Sequence, residues 1–278
     1  MKRRILPLVM AAMLLVAVAA FLIPSGAATR EIRVSYNGKE ITNPKSLLIN
    51  SVTYVPLRAF SEMMGVYNIT WNQNTQTAAI STNGLQLSAK VGTLYITAND
   101  RCFYTVEKIL NIGGRVYVPV RPLARAFGLD VHWDGAAYSV KLTSNGSGYC
   151  KSGSTYYDSD SLYWLSRIIS AEAEVEPLLG KIAVGNVVLN RVASRDYPNS
   201  VYGVIFDRKN GTQFTPAATG TIYNTPSRES VVAAKICLEG YSLSDEILFF
   251  FNPKIATTSW IARNRPYVMT IGNHEFYK

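Results

Sequence analysis

Apolar side chains recur at the helical interval between residues 161 and 174. Leu165, Ile168 and Ile169 fall on one face of the predicted helix, and Glu172 follows on the same face one turn later. An ionised carboxyl is costly among apolar side chains, so burial favours its neutral form and raises its pKa. A carboxyl that keeps its proton near neutral pH can act as a general acid. Glu172 is therefore a candidate catalytic residue; the alternatives are an ion pair with a buried arginine such as Arg191, or exposure through a break in the apolar stripe.

The rest of the C-terminal half predicts further helices and a few strands. Residues 181–192 are apolar on nearly every face, which is typical of a helix in the middle of a domain. Thr225-Pro226 and Gly240 predict the start and end of another helix, with an N-cap, a first-turn proline and a closing glycine. Residues 247–251 and 267–271 have the apolar content of strands. This unit is predicted to be mainly helical with a small sheet.

The first half of the chain contains an internal repeat. Tyr54-Val55-Pro56-Leu57-Arg58 recurs as Tyr117-Val118-Pro119-Val120-Arg121, and each copy is followed by a glycine and then a tryptophan: Gly65 and Trp71, Gly128 and Trp133. Each copy predicts a strand, a proline at the first position of a short helix, a left-handed glycine cap and a further strand. Asn37-Gly38 predicts a hairpin. We expect a duplicated, strand-rich module over residues 31–141, with its tyrosines and tryptophans packed in the core and sugar stacking as the alternative.

Two other segments have the composition of a connection and of a targeting sequence. Residues 142–161 are rich in Ser, Gly, Asn, Tyr and Asp, which predicts a loop or linker. Residues 1–28 have a basic start, an apolar run and small residues at the end, which predicts a secretory signal peptide cleaved after Ala28. Because the apolar run can just span a bilayer, an uncleaved membrane anchor is the alternative. The C-terminal domain that follows the linker is predicted to cover residues 162–278.

Charge and composition restrict the partners. The chain has 28 Lys and Arg and 19 Asp and Glu, a net charge of +9. An exported basic protein suits an acidic cell-wall polymer or an anionic membrane surface, and the lack of basic runs interleaved with aromatic residues argues against nucleic acid. Two His and three Cys are too few for most His-rich metal sites, so zinc peptidases are disfavoured and we expect no metal or cofactor. Cys150 and Cys237 are a candidate disulfide, with three unpaired cysteines as the alternative.

The repeated motif resembles that of the copper amine oxidase N-terminal-like domain, a stalk module of secreted proteins. The resemblance implies a positioning or binding unit for residues 31–141, which we expect to contact cell-wall or spore components. It implies no copper site, because His132 is the one histidine of the repeat region.

The C-terminal unit, residues 162–278, resembles the spore-cortex-lytic cell-wall hydrolases. The similarity rests on the run 170–177, which includes Glu172, and on matching positions towards the end of the chain: Phe250-Phe251-Asn252-Pro253, Trp260, Ile271-Gly272, His274 and Phe276. The sequence departs from the family in having Glu174-Val175 where Arg-Gly is usual, which puts the geometry of that loop in question.

The resemblance implies an α+β protein whose second domain is a lysozyme-like catalytic fold. It also implies cleavage of peptidoglycan glycan strands in the cell wall or spore cortex by a lytic transglycosylase, with Glu172 as acid and base. A hydrolytic muramidase is the alternative and would need a second acid, for which Glu176 and Asp207 are candidates. A non-catalytic wall-binding protein is a third hypothesis.

Aromatic and amide side chains are expected to line the sugar groove. Tyr223, Asn252 and Trp260 are the candidate substrate-binding residues, because they lie in loops or at strand ends beyond the helices.

Overall fold

A computed structural model describes residues 29–209, 211–256 and 258–278. The predicted signal peptide, residues 1–28, lies outside these described residues. No helix in the described ranges is long and apolar enough to cross a membrane.

The first part of the described chain, which we call the N-terminal module, is built from thirteen named strands and two short helices. In chain order they are β1 Arg30–Tyr36, β2 Lys39–Glu40, β3 Ser46–Ile49, β4 Val52–Pro56, α1 Leu57–Met63, β5 Ile69–Asn72, β6 Thr77–Thr82, β7 Leu85–Lys90, β8 Tyr95–Ala98, β9 Arg101–Tyr104, β10 Leu110–Ile112, β11 Arg115–Pro119, α2 Val120–Phe127, β12 Leu129–Asp134 and β13 Ser139–Ser144. One sheet has the order β10-β11-β4-β3-β1-β13-β12 with β2 paired to β1, and a second has the order β5-β6-β7-β8-β9.

The remainder, which we call the C-terminal unit, is mainly helical. Its elements are α3 Gly153–Tyr156, α4 Ser159–Ala173, α5 Leu178–Ala193, α6 Val201–Phe206, α7 Thr215–Thr219, a 3-10 turn Thr221–Tyr223, α8 Arg228–Leu238, β14 Phe249–Phe251, α9 Trp260–Asn264, β15 Tyr267–Ile271 and β16 His274–Tyr277. The three strands form a small sheet in the order β14-β16-β15. The α+β class predicted from the sequence, with a strand-rich module before a helical unit that carries a small sheet, is confirmed.

The two sequence repeats meet along their matching strands. β4 and β11 pair antiparallel, so that Tyr117 lies opposite Pro56 and Pro119 lies opposite Tyr54. Each proline is the last residue of its strand and the N-cap of the helix that follows. The sequence had predicted the first helical position instead. The hydroxyls of Tyr54 and Tyr117 donate to the carbonyls of Lys108 and Lys45 at 2.9 and 3.2 Å, which satisfies both buried phenols.

The tryptophans of the repeat differ from the prediction. The tyrosines are buried as expected, but Trp71 and Trp133 are 39% and 46% exposed. Trp71 lies on β5 and Trp133 on β12, and each of these is the last strand of its sheet. An edge strand has a neighbour on one side only, so its side chains are covered less than those of a central strand. The prediction of core packing is therefore wrong for the tryptophans.

One element boundary and one strand in the C-terminal unit also differ from the sequence prediction. Helix α8 begins after Ser227, whose Oγ accepts from the Ser230 N–H at 3.1 Å, and Thr225-Pro226 precedes the cap. Strand β16 was not predicted. It is the central strand of the small sheet, between β14 and β15. Its burial depends on these two neighbours, so the alternation of apolar and polar residues in its own sequence does not reveal it.

The candidate disulfide is not formed. The three cysteines are free thiols. Cys150 packs with the core of the N-terminal module, whereas Cys237 lies inside α8 with its Sγ 3.4 Å from the carbonyl oxygen of Ile182. The two thiols therefore belong to separate cores.

The two units pack directly against each other. The Lys235 Nζ of α8 donates to the carboxylate and the carbonyl of Asp100 at 2.6 and 2.9 Å, and the rings of Tyr104 and Tyr241 lie 4.1 Å apart. The stretch predicted as a linker follows this interface closely: the N–H of Gly153 donates to the carbonyl of Asn99 at 2.7 Å. These contacts give the C-terminal unit a defined place on the module.

Candidate active site

Helix α4 places Glu172 at its last turn. The Asp158 carboxylate caps the helix by accepting from the Ser161 N–H at 2.8 Å. Leu165, Ile168 and Ile169 are fully buried and anchor the helix in the core of the C-terminal unit. Glu172 continues this stripe but is only partly buried. The helix ends one residue later, and the Glu172 side chain lines a cleft.

The environment of Glu172 favours its protonated form. Burial raises the pKa of its carboxyl to about 7, because the charged form loses hydration. Arg191 does not pair with it: its Nε donates to the carbonyl of Leu248 at 2.8 Å and its Nη1 lies 3.4 Å from the Gln213 Oε1. The ion-pair alternative raised by the sequence therefore does not hold among the described residues. A carboxyl with this pKa can both give and take a proton near neutral pH.

The cleft beside Glu172 is large enough for several sugar rings. It has a volume of about 1130 Å³. Asn252 and Trp260, two of the three predicted substrate-binding residues, line it together with Glu172. The Asn252 side chain also accepts from the Lys254 N–H at 3.0 Å, which fixes the loop that follows β14.

Tyr223, the third predicted substrate-binding residue, does not line this cleft. The 3-10 turn buries Ile222 completely, so the next side chain points outwards and is 59% exposed. The Tyr223 ring instead lies 6.0 Å from that of Trp164, edge to face. The structure separates Tyr223 from the other candidate residues.

An aromatic and cationic wall of the cleft was missed by sequence reasoning. The Arg265 guanidinium lies 4.4 Å from the ring centre of Phe249 and 5.6 Å from that of Trp260. Phe249 belongs to β14, where three consecutive phenylalanines occupy a strand. Because strand side chains alternate, three large apolar residues in a row cannot all face one core. That run was the available signal that one side of β14 faces a ligand or a cleft.

Glu176 and Asp207, the two candidates for a second catalytic acid, lie in different surroundings. The Glu176 carboxylate accepts from the backbone N–H and the side-chain amide of Asn273, both at 2.9 Å, and lies 4.0 Å from the His274 Nδ1. Burial would raise the pKa of Glu176, but the two hydrogen bonds from Asn273, together with His274 and Lys181, lower it. Glu176 thus holds the turn between β15 and β16 and does not line the cleft, whereas Asp207 does.

The Glu174-Val175 pair lies in the exposed turn after α4. Glu174 keeps right-handed helical angles, with φ −56° and ψ −40°, and Val175 is 88% exposed. The Glu176 N–H donates to the carbonyl of Ala173 at 3.0 Å and closes the turn. Val175 is not among the residues with positive φ, so the backbone at this position does not require glycine.

The described residues contain no group of three or more His, Cys, Asp or Glu side chains that could hold a metal ion.

Two protein-family models each match a part of the chain. Residues 175–277 match the family model Cell Wall Hydrolase. Residues 35–142 match the model Copper amine oxidase N-terminal domain. The cell wall hydrolase match begins three residues after Glu172, so the candidate acid lies just before the matched range.

The relatives of this chain include enzymes of spore-forming bacteria. A spore cortex-lytic enzyme of Bacillus cereus is 38% identical over 122 residues, which cover 44% of this chain and 46% of that protein. A spore cortex-lytic enzyme of Bacillus subtilis is 38% identical over 120 residues, which cover 43% of this chain and 38% of that protein. The chain thus spans less than half the length of these relatives.

Two solved structures are also similar in sequence to part of this chain. The catalytic domain of the germination-specific lytic transglycosylase SleB from Bacillus anthracis is 37% identical, with a TM-score of 0.40, and the match covers 44% of this chain and 97% of that domain. The catalytic domain of the Bacillus cereus SleB protein is 38% identical with the same TM-score, over 44% of this chain and 92% of that domain.

Proposed function

We propose that this protein cleaves the glycan strands of peptidoglycan as a lytic transglycosylase, with Glu172 as its acid and base. The observation that carries the proposal is the partly buried carboxyl of Glu172, with a pKa of about 7, at the side of a sugar-sized cleft. The similarity to spore cortex-lytic enzymes supports peptidoglycan as the substrate.

The reaction needs one carboxyl because the sugar supplies its own nucleophile. Protonated Glu172 donates its proton to the oxygen that leaves C1 of N-acetylmuramic acid, and the C1–O bond breaks, helped by the acetamido group of the substrate. The C6 hydroxyl of the same sugar then attacks C1. The Glu172 carboxylate takes the hydroxyl proton, which closes a 1,6-anhydro ring and restores the acid.

The cleft walls would bind the sugars around this carboxyl. Trp260 offers an aromatic face for a pyranose ring, and Asn252 offers an amide for an acetamido group. Arg265, whose guanidinium lies over the Phe249 ring, offers a positive charge for a carboxylate of the stem peptide. A glycan strand that fills the cleft would displace water from around Glu172, which would favour attack by the C6 hydroxyl over hydrolysis.

A hydrolytic muramidase is the second candidate, because Asp207 lines the same cleft as Glu172. The two reactions give products that differ by one water, since the anhydro end is lighter than the reducing end. Mass analysis of the digest of purified wall and of spore cortex distinguishes them. If neither substrate gives soluble fragments, the protein is a wall-binding protein without this activity.

The site of action belongs to the same proposal. The basic start and apolar run of residues 1–28 support export, and the relatives support action in the cell wall or spore cortex. Sequencing the N-terminus of the protein recovered from the wall fraction tests cleavage after Ala28; an N-terminus at Met1 would support a retained anchor.

A further inference from the structure

The N-terminal module carries two grooves that are related by its sequence repeat. The first contains Trp71, with Pro56, Leu57 and Arg58 from the start of α1. The second contains Trp133, with Pro119, Val120 and Arg121 from the start of α2. Their volumes are about 270 and 700 Å³.

The equivalence of the grooves extends to their walls. In each groove the tryptophan is accompanied by the strand residue two positions before it, which is Ile69 in the first groove and Val131 in the second. The residue that pairs with the tryptophan on the neighbouring strand also lines the groove: Ala78 in the first and Val140 in the second. Each groove is completed by strand residues of the other repeat, Arg115 and Val116 in the first and Val52 and Thr53 in the second. The two sites therefore depend on the pairing of β4 with β11, and neither repeat could form one alone.

The side chains around the tryptophans suit a charged sugar. Gln73, Gln76 and Asn111 line a further cavity that also contains Trp71, and primary amides can bond to hydroxyl and acetamido groups. Arg58 and Arg121 line the two grooves and are exposed, so they can bind carboxylates. Arg58 lies 3.9 Å from the Glu62 carboxylate, an exposed pair that a ligand carboxylate can replace at little cost. The electron-rich face of an indole attracts the polarised C–H groups of a pyranose ring.

Charge is distributed unevenly between the two halves of the protein. Residues 30–142 contain 12 Lys and Arg and 7 Asp and Glu, a net charge of +5. Residues 143–278 contain 13 and 12, a net charge of +1. The N-terminal module therefore has the larger net positive charge of the two, which favours its binding to an anionic polymer.

We infer that the N-terminal module is a sugar-binding unit with two repeat-related sites, in which Trp71 and Trp133 stack on rings of the peptidoglycan glycan strand and Arg58 and Arg121 bind its carboxylates. The choice of peptidoglycan rests on the proposed function. The second groove also contains Tyr104, which contacts Tyr241 of the C-terminal unit, so a strand bound there lies beside the hydrolase unit.

Co-sedimentation with purified peptidoglycan, freed of secondary wall polymers, tests the inference. The full chain carrying Glu172→Gln serves as the parent, so that the wall is not digested during the measurement. Trp71→Ala and Trp133→Ala should each weaken binding several-fold, and the double variant on the order of tenfold or more, since two linked sites act together on a polymer. Circular dichroism spectra and thermal melting confirm that each variant is folded.

Tyr67→Ala provides the matched control, because Tyr67 is 72% exposed and lies outside both grooves. Its binding should equal that of the parent. A double tryptophan variant that binds like the parent overturns the inference. The inference is also overturned if the double change Arg58→Gln with Arg121→Gln abolishes binding and the tryptophan changes do not affect it. That result indicates that the module binds the wall by charge alone, without stacking on sugar rings.

A separate measurement keeps the two proposals distinguishable. The chain with native Glu172 and both tryptophan changes should still release products from short soluble glycan fragments, which reach the cleft without the module. If the wild-type chain cleaves nothing but binds wall through both tryptophans, the proposed activity fails and the sugar-binding inference stands.

Discussion

Arg101 of the N-terminal module forms a bidentate pair with Glu239 of the C-terminal unit. Its Nε donates to Oε1 at 2.7 Å and its Nη2 to Oε2 at 2.6 Å. Arg125 and the Tyr157 hydroxyl donate to the same carboxylate at 2.9 and 2.7 Å. The Glu239 side chain is 1% exposed, so these three side chains take the place of water around its carboxylate, and two of them belong to the module.

Replacing Glu239 should destabilise the protein strongly. Glu239→Ala leaves the buried Arg101 guanidinium and the Tyr157 hydroxyl without their acceptor, and breaking a buried pair in this way costs about 3–5 kcal/mol. Urea denaturation at pH 7 measures the change. Glu246→Ala, which removes an exposed pair with Lys278, is the control and should cost under about 1 kcal/mol. Equal stability of the two variants would contradict a structural role for the interface.

Glu172→Gln should abolish cleavage while leaving the fold intact. The glutamine side chain has a similar shape but cannot donate or take the reaction's proton, so the rate should fall by at least about 10²-fold. Release of soluble fragments from peptidoglycan measures the loss. Glu174→Gln, in the exposed turn two residues later, should keep full activity. Activity retained by Glu172→Gln would refute the assignment.

The raised pKa of Glu172 also predicts a dependence of stability on pH. The native state holds this proton up to about pH 7, whereas the unfolded chain releases it near its ordinary pKa of 4.5. The native state binds more protons between these values, so stability falls as the pH rises from about 4.5 to 7. Relative to Glu172→Gln, the wild-type protein should lose about 1–3 kcal/mol across this window. Parallel curves for the two proteins would show that the carboxyl is not desolvated.

Activity should fall above about pH 7 as Glu172 loses its proton. Because the acid form starts the reaction, kcat/KM should decrease about tenfold per pH unit on this limb. Asp207→Asn is the informative variant: a transglycosylase keeps the limb, the rate and the anhydro product, whereas a muramidase that uses Asp207 loses its activity. Initial rates from pH 5 to 9, with the product masses, provide the measurement.

The turn that Glu176 supports should not tolerate a side chain at Gly272. Gly272 has φ +60°, and an added Cβ would collide with the Glu176 carboxylate. Gly272→Ala should cost about 1–2 kcal/mol for the left-handed backbone and about 1–3 kcal/mol more for the collision. Gly92→Ala isolates the backbone contribution, because Gly92 has φ +84° and open space around it. Thermal unfolding of the two variants should differ; similar losses would exclude the collision.

Local sequence patterns predicted most of the elements but not their neighbours. Helix α4 follows from the spacing of Leu165, Ile168 and Ile169, and helix α2 from the repeated motif and Gly128. The burial of Glu172 followed from the same spacing. Strand β16 and the role of Glu176 did not, since both depend on residues that are close in space and far apart in the chain.

The sequence by itself determined the repeat, the helical stripe that carries Glu172 and the net positive charge. Each of these is a local or additive property, fixed by residues within a few turns of one another or by simple counting. Tertiary structure decided which side chains share a cleft: Trp260 and Asn252 line it with Glu172, and Tyr223 does not. It also decided that Trp71 and Trp133 are exposed on the edge strands of their sheets. Exposure and proximity depend on how sheets end and how units pack, and the alternation of residues within a strand is the same at an edge as in the middle of a sheet.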